Sequence, residues 1–306
     1  MRKVEVKVLV TGGTGFIGSH ITDLLIEEGH QVIVVDNLSQ SDLTYLNSKA
    51  LFFKLDITDP KLFEVLASEQ PEVIIHQAAQ VNVHHSVKNP LHDGQVNILG
   101  TLNLLHGAVR WGVKKIIYAS TCAVYGEPQT DPISEDHPVN PLSGYGLSKW
   151  TGECYIRLYH QLHGLKYTIL RYANVYGPRQ GGLGEGGVIS IFKKKLQECS
   201  PAVIYGDGSQ TRDFVYVKDV ARANVLALAR GDQETINIGT SQAVSISALY
   251  HLMEQLVQVN LPPHYEEARP GDIRHSRLAN RKAKEVLNWQ PQYSLTAGLE
   301  ETLADH

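Results

Sequence analysis

Residues 7–10, 31–36, 51–57, 73–79, 115–120 and 167–171 form short apolar runs rich in valine and isoleucine, with no regular alternation with polar residues. Continuous runs of this kind belong to parallel strands covered on both faces. Between them, residues 19–28, 60–69, 91–111 and 145–163 repeat apolar positions at helical spacing, and Gly29, Gly112 and Gly164 stand just past three of these stretches. Glycine in that place is the expected helix stop. Strand–helix alternation implies right-handed crossovers and a parallel sheet. The predicted fold is therefore α/β: a Rossmann-type doubly wound parallel sheet.

After Arg171 the rhythm changes. Residues 176–187 hold six glycines and one proline in twelve positions, which reads as a loop. Shorter strands follow at 203–205, 214–217 and 235–238, mixed with helices. The expected division is residues 1–173 as a nucleotide-type domain, rejoined by about 212–242, with 174–306 mainly a smaller mixed α/β substrate domain. The run Lys193-Lys194-Lys195 reads as a solvated helix face.

Composition works mainly by exclusion. With 28 Lys and Arg against 32 Asp and Glu, the net charge is −4, which gives no support for nucleic-acid binding. Hydrophobic residues at 42% and charged residues at 20% suit a packed core rather than disorder. Cys122, Cys154 and Cys199 lie far apart with no CxxC spacing, so neither a disulfide framework nor a zinc site is expected. No leader or membrane span is legible, and a cytoplasmic protein is expected. His84 and His85 are adjacent and project differently, so no catalytic metal is expected.

The most informative stretch is Val8-Leu-Val-Thr-Gly-Gly-Thr-Gly-Phe-Ile-Gly18. A strand runs into a turn in which Gly13, Gly15 and Gly18 fit GxGxxG and Gly12, Gly15 and Gly18 fit GxxGxxG. Such glycines let backbone approach a pyrophosphate, and the helix that follows aims its free N–H groups at the phosphates. Asp36 ends the next strand, 18 residues beyond Gly18. A carboxylate there accepts from ribose hydroxyls and repels the extra phosphate of NADP, and no Arg or Lys lies in 12–18 to offset it. NAD is favoured. The competing reading makes Asp36 a simple loop cap.

Tyr145-Gly-Leu-Ser-Lys149 opens a helix and places phenol and ammonium on one face. Bringing a phenol from about 10 to a useful base takes roughly 4 kcal/mol. A lysine together with a cationic ring in a dry pocket could supply that, where a lysine alone would not. Tyr45-Leu-Asn-Ser-Lys49 has the same spacing but lies in a polar connection, and reads as a chance match. Ser120-Thr121 ends a parallel strand, where ligands collect in open α/β sheets.

Together with Ser120-Thr-Cys-Ala-Val-Tyr-Gly126 and Leu170-Arg-Tyr-Ala-Asn-Val-Tyr-Gly-Pro-Arg179, these motifs resemble the extended short-chain dehydrogenase/reductase family, in its NAD-dependent epimerase/dehydratase branch. Within it the likeness is greatest to UDP-glucose 4-epimerases, over about residues 7 to 300. The resemblance implies Thr121 as the Ser/Thr partner, Tyr145 as base, and Lys149 as ribose anchor and charge partner of the phenol. It puts Gly12, Gly15, Phe16, Ile17, Gly18, Asp36, Asn37, Asp56 and Ile57 at NAD positions, with Asp56 meeting the adenine. Ala78, Ala79 and Asn97 would line the cofactor side, and Tyr172 would lie near the nicotinamide. Asn174, Val188, Tyr205, Arg212, Arg269 and Asp272, with Thr121 and Tyr145, match nucleotide-sugar positions. Arginine forks suit a diphosphate, although Arg212 and Arg269 also read as surface ion-pair residues.

Epimerases and dehydratases of this kind share removal of the C4 hydroxyl proton with hydride transfer to NAD. Dehydratases carry Asp-Glu directly after the Thr and related decarboxylases keep a Glu; this chain has Cys122-Ala123, so elimination lacks its agent. The resemblance thus implies C4 epimerisation of a UDP-hexose through a 4-keto intermediate with tightly bound NAD. A UDP-glucuronate or UDP-GlcNAc epimerase, a dehydratase and a non-catalytic NAD-binding protein remain as alternatives. Ser276, four positions beyond Asp272, stands where a bulky residue limits N-acetyl groups, so acetylated sugars are expected to fit. Leu147, Trp150, Cys154 and Leu158 lie opposite Tyr145 and Lys149 on the reaction helix, and 91–111 has a similarly broad apolar surface. A homodimer through a four-helix bundle is expected, with packing inside one chain as the alternative.

Overall fold

The computed structural model describes residues 5–181, 187–268 and 273–305. Its centre is a seven-stranded parallel sheet. Six strands come from the first half of the chain: β1 (Lys7–Thr11), β2 (Gln31–Asp36), β3 (Leu51–Lys54), β4 (Val73–His76), β5 (Lys115–Thr121) and β6 (Lys166–Tyr172). The strand Glu234–Ile238 adds to β6, and the order runs from it through β6, β5, β4 and β1 to β2 and β3. The winding direction reverses between β4 and β1, which opens a crevice at the carboxyl ends of the strands.

Continuous apolar strands are explained by burial on both sides. Val8 and Val10 join Ile21 and Leu25 in one core cluster, while Leu9 points into another with Leu62, Leu66, Leu104 and Ile156. The helices of this part are α1 (Phe16–Glu27), α2 (Leu62–Glu69), α3 (Val83–Lys88), α4 (Pro90–Gly94), α5 (Gly100–Arg110) and α6 (Gly144–His163), of which α1, α2, α5 and α6 supply these core residues. Helix α6 starts where the Ser143 hydroxyl accepts from the Gly146 N–H, and it ends at Gly164 in left-handed backbone at φ 71°.

In the second half come β7 (Asn174–Tyr176), α7 (Val188–Gln197), β8 (Val203–Tyr205), β9 (Thr211–Arg212), β10 (Phe214–Tyr216) and α8 (Val217–Leu226). They are followed by β11 (the strand Glu234–Ile238), β12 (Val244–Ser245), α9 (Ile246–Leu256), β13 (His264–Glu266), β14 (His275–Ser276) and α10 (Leu295–Ala304). Helix α8 packs its Val220 and Ala223 into the same cluster as α1. A third cluster, built on Phe192, Ile204, Tyr250, Met253 and Leu299, forms the core of the smaller lobe. Among the described residues no helix is long and apolar enough to cross a membrane.

Several boundaries differ from the pattern reading. The apolar run 73–79 is a strand only to His76, because its neighbour β1 ends at Thr11, the register partner of His76. Beyond that pair the Gln77 and Ala78 N–H groups turn to the Thr11 carbonyl and hydroxyl instead of continuing the ladder. The run 51–57 stops at Lys54, and β3 is a half-exposed edge strand rather than one covered on both faces. The single helix expected over 91–111 begins at Pro90 and contains a π-turn at Gln95–Leu99. Apolar spacing does not register that extra residue, but the fold uses it to turn Asn97 inward. Val217 begins α8 rather than ending a strand, and Tyr176, assigned to the glycine loop, ends β7. Trp150 is half-buried with the Arg157 and Arg171 guanidinium groups over its ring, so it faces the sheet and not the outer side of α6.

Candidate active site

The glycine turn at the end of β1 is shaped by close approach. Gly12 has φ +69°, and a Cβ there would lie 2.7 Å from the Ala78 nitrogen. A Cβ on Gly18 would run into the Gly12 carbonyl oxygen. Ala78 is fixed in turn, its N–H donating to the Thr11 hydroxyl at 3.2 Å. Asp36 folds back onto this turn: its carboxylate accepts from the Thr14 N–H at 3.2 Å and the Leu38 N–H at 2.9 Å. That leaves acceptor capacity for a ribose hydroxyl beside the turn, and a negative charge where NADP would bring its phosphate. Phe16 and Ile17, at the start of α1, reach the core of the smaller lobe. The bare backbone cradle at a helix N-terminus and the adjoining carboxylate suit the pyrophosphate and ribose of NAD.

Farther along the same edge, Asp56 accepts from the Asn37 amide at 2.6 Å and from the Thr58 N–H and hydroxyl at 2.8 and 2.6 Å. The Ile57 side chain is buried under α5. Ala79 lies in the loop after β4. Asn97 is buried; its amide nitrogen donates to the Gln80 carbonyl, Asp93 and the Ser148 hydroxyl at 2.9, 3.1 and 3.0 Å. The Tyr172 hydroxyl bonds with Gln77 and Asn224, and burial pushes its pKa up to about 12.

Thr121 ends β5 and caps a 3-10 turn by accepting from the Ala123 N–H at 3.2 Å. Its side chain lies beside the Tyr145 phenol at the start of α6, close enough to favour the ionised phenol. Lys149, one turn later, is 3% exposed; its ammonium donates to the Ala119 carbonyl at 2.9 Å and lies 4.9 Å from the Tyr118 ring centre. Burial lowers the pKa of Lys149 to about 8, against an opposing pull from the Asp93 carboxylate. Burial also holds the Tyr145 phenol well above its usual range, with the Thr121 side chain opposing. The protein by itself therefore keeps Tyr145 neutral. The alternative pair does not assemble: Tyr45 ends a single 3-10 turn, and its ring faces Arg179 at 5.4 Å.

On the opposite wall, Arg212 on β9 and Ser276 on β14 are register partners. Ser276 and Thr121 lie beside Cys122, whose thiol is pushed up in pKa by burial while the Arg212 charge opposes the rise. Asn174 donates to the Asp213 carbonyl at 3.1 Å, Val188 opens α7, and Tyr205 closes β8. Arg269 and Asp272 lie outside the described residues. Among the described residues no group of three His, Cys, Asp or Glu side chains could hold a metal ion.

Three buried groups at the site were not anticipated. Asp93 sits under Lys149, bonded to Gln80 and Asn97. Asp213 ties Thr240, Ser241 and Leu278 behind Arg212. Glu153 is fully buried; burial alone would raise its pKa, but the Arg171 fork holds it below the usual carboxylate range. Glu153 could have been found by continuing the Tyr145–Lys149 spacing one more turn.

A family model described as the NAD dependent epimerase/dehydratase family matches residues 8–239. The chain belongs to that family. It is 42% identical over 304 residues to a UDP-glucose 4-epimerase of Mycolicibacterium smegmatis, covering 97% of each chain. Among solved structures it is similar to UDP-glucose 4-epimerase with UDP-glucose from Thermotoga maritima, at 45% identity and TM-score 0.95 over 97% of both chains. It is also similar to UDP-N-acetylglucosamine 4-epimerase from Methanobrevibacter ruminantium in complex with UDP-N-acetylmuramic acid, at 34% identity and TM-score 0.94 over 98% of both. This protein is thus an NAD-dependent enzyme of the UDP-sugar 4-epimerase family.

Proposed function

We propose that this family member interconverts UDP-glucose and UDP-galactose, and that it also accepts their N-acetylated counterparts. The observation that carries the reading is the placement of the Thr121 hydroxyl beside the Tyr145 phenol, with the Cys122 thiol next to them. The pocket has a proton carrier next to a hydroxyl that can hold the reacting oxygen, and a neutral group where elimination would need an acid. Tyr145 takes the C4 hydroxyl proton and returns it to the same oxygen, while Thr121 bonds that oxygen in both its alcohol and carbonyl forms. Because burial opposes the phenolate, Tyr145 needs more positive charge nearby than Lys149 contributes. NAD, when bound, supplies a cationic ring and serves as acceptor and donor of the hydride. Arg212 and Arg269 are both assigned to the diphosphate on the sequence, where a guanidinium fork suits phosphate oxygens.

The acetylated pair is supported by Ser276. Its small side chain, beside Cys122, leaves room for an N-acetyl group where a bulky residue would exclude it. Purified protein incubated with UDP-galactose and no added NAD is expected to reach a UDP-glucose/UDP-galactose mixture, with UDP-GlcNAc converting in a parallel incubation. Conversion of UDP-glucuronate alone would reassign the substrate, and a 6-deoxy-4-keto product would replace epimerisation by dehydration.

A second copy of the chain is the proposed partner. Helices α3 to α5 pack against α6, and these segments leave Val87, Leu91, Leu99, Leu147, Leu158 and Leu162 exposed. Two such faces related by a twofold axis would bury each other as four helices. Sedimentation is expected to give twice the 33.9 kDa chain mass; a monomer at micromolar concentration would contradict this.

A further inference from the structure

Tyr145, Lys149 and Glu153 follow at intervals of four on α6 and so share one face. Glu153 never reaches the reacting centre. Its carboxylate instead accepts from Arg171 Nε and Nη2 at 2.9 and 2.7 Å, from the Ser120 hydroxyl at 2.6 Å and from Arg157 Nη2 at 2.8 Å. Four donors fill the four acceptor positions of a carboxylate. Two of the donor residues are aligned with the active site: Ser120 on β5 and Arg171 on β6 are register partners, and the next pair is Thr121 and Tyr172.

Successive strand residues point to opposite faces. Ser120 and Arg171 therefore share the face that carries α6, and Thr121 is the next residue along β5, at the carboxyl end of the strand. Apolar packing would hold α6 on the sheet equally well, but without fixing its height along the strands. A bidentate Arg–carboxylate fork has direction, and here it spans both strands.

We propose that Glu153, gripped by Arg171 and Ser120, is a positioning residue that sets the height of Tyr145 and Lys149 over Thr121. The inference rests on the epimerase reading for its kinetic consequence. Misplacing a reacting group by about 1 Å can cost on the order of 100-fold in rate.

The test uses Arg171→Lys, which keeps the buried cation and loses the fork, and the paired Glu153→Leu/Arg171→Met, which replaces the ion pair by apolar groups. For Arg171→Lys, kcat at saturating UDP-galactose is expected to fall about 30-fold with KM within about threefold of wild type. The paired variant is expected to keep the wild-type melting temperature and yet stay as slow. In both, the Tyr145 ionisation, read as the ultraviolet difference between each protein and its Tyr145→Phe counterpart, is expected to move by about one pH unit. Wild-type kcat and an unmoved titration in either folded variant would overturn the proposal. If the wild-type protein turned over no UDP-sugar, the functional reading would fall, and the titration would still decide the clamp.

Discussion

Tyr145→Phe is expected to lower kcat for UDP-galactose by about 10³- to 10⁴-fold, equivalent to about 4–5.5 kcal/mol of lost transition-state stabilisation. The ring stays, so the pocket keeps its shape; only the hydroxyl beside Thr121 is lost. Cys122 cannot replace it, because its thiol is pushed up by burial, and Lys149 is committed to the Ala119 carbonyl. The variant should therefore still hold NAD and bind UDP-sugar while failing to turn over. Rapid-quench assays with product separation, alongside NAD content of the purified protein, check both parts. Residual turnover above one-tenth of wild type would assign the base elsewhere.

Gly12→Ala is expected to weaken NAD binding by about 50- to 300-fold. Left-handed backbone costs a non-glycine residue about 1–2 kcal/mol, and the new methyl would meet the Ala78 nitrogen at 2.7 Å and its Cα at 2.9 Å. Those atoms are backbone, tied to Thr11, so the turn itself must move away from the phosphates. A further 1.4 kcal/mol for that displacement accounts for another factor of ten. The wild-type protein should release close to one NAD per chain on denaturation and the variant almost none, as measured by chromatography of the supernatant. Retention of a full equivalent by the variant would show that the turn does not govern cofactor binding.

The dependable parts of the sequence were those whose cause is local. Apolar runs became strands because burial on two faces demands them, Gly164 stopped α6 because it takes left-handed backbone, and the glycine turn after β1 was visible as residue types at fixed intervals. The Tyr145–Lys149 spacing was legible too, although it could be separated from Tyr45–Lys49 only by its setting.

Strand ends depended on neighbours: β4 stops where β1 stops, and nothing in residues 77–79 announces it. The π-turn that aims Asn97 inward leaves the apolar pattern almost unchanged. Residues 174–306 were harder to read, because their short strands pair across long separations, as β9 does with β12 and β14.

By itself, then, the sequence determined the strand–helix alternation of the doubly wound sheet, the glycine turn and the Tyr145–Lys149 spacing, because each is written in residues a few positions apart. Tertiary structure alone decided which carboxylates are buried around Tyr145 and Lys149, that Ser276 comes beside Cys122, and that burial holds the Tyr145 phenol above its usual range. Desolvation and ion pairing are set by whatever the fold packs around a group, and those neighbours come from distant parts of the chain.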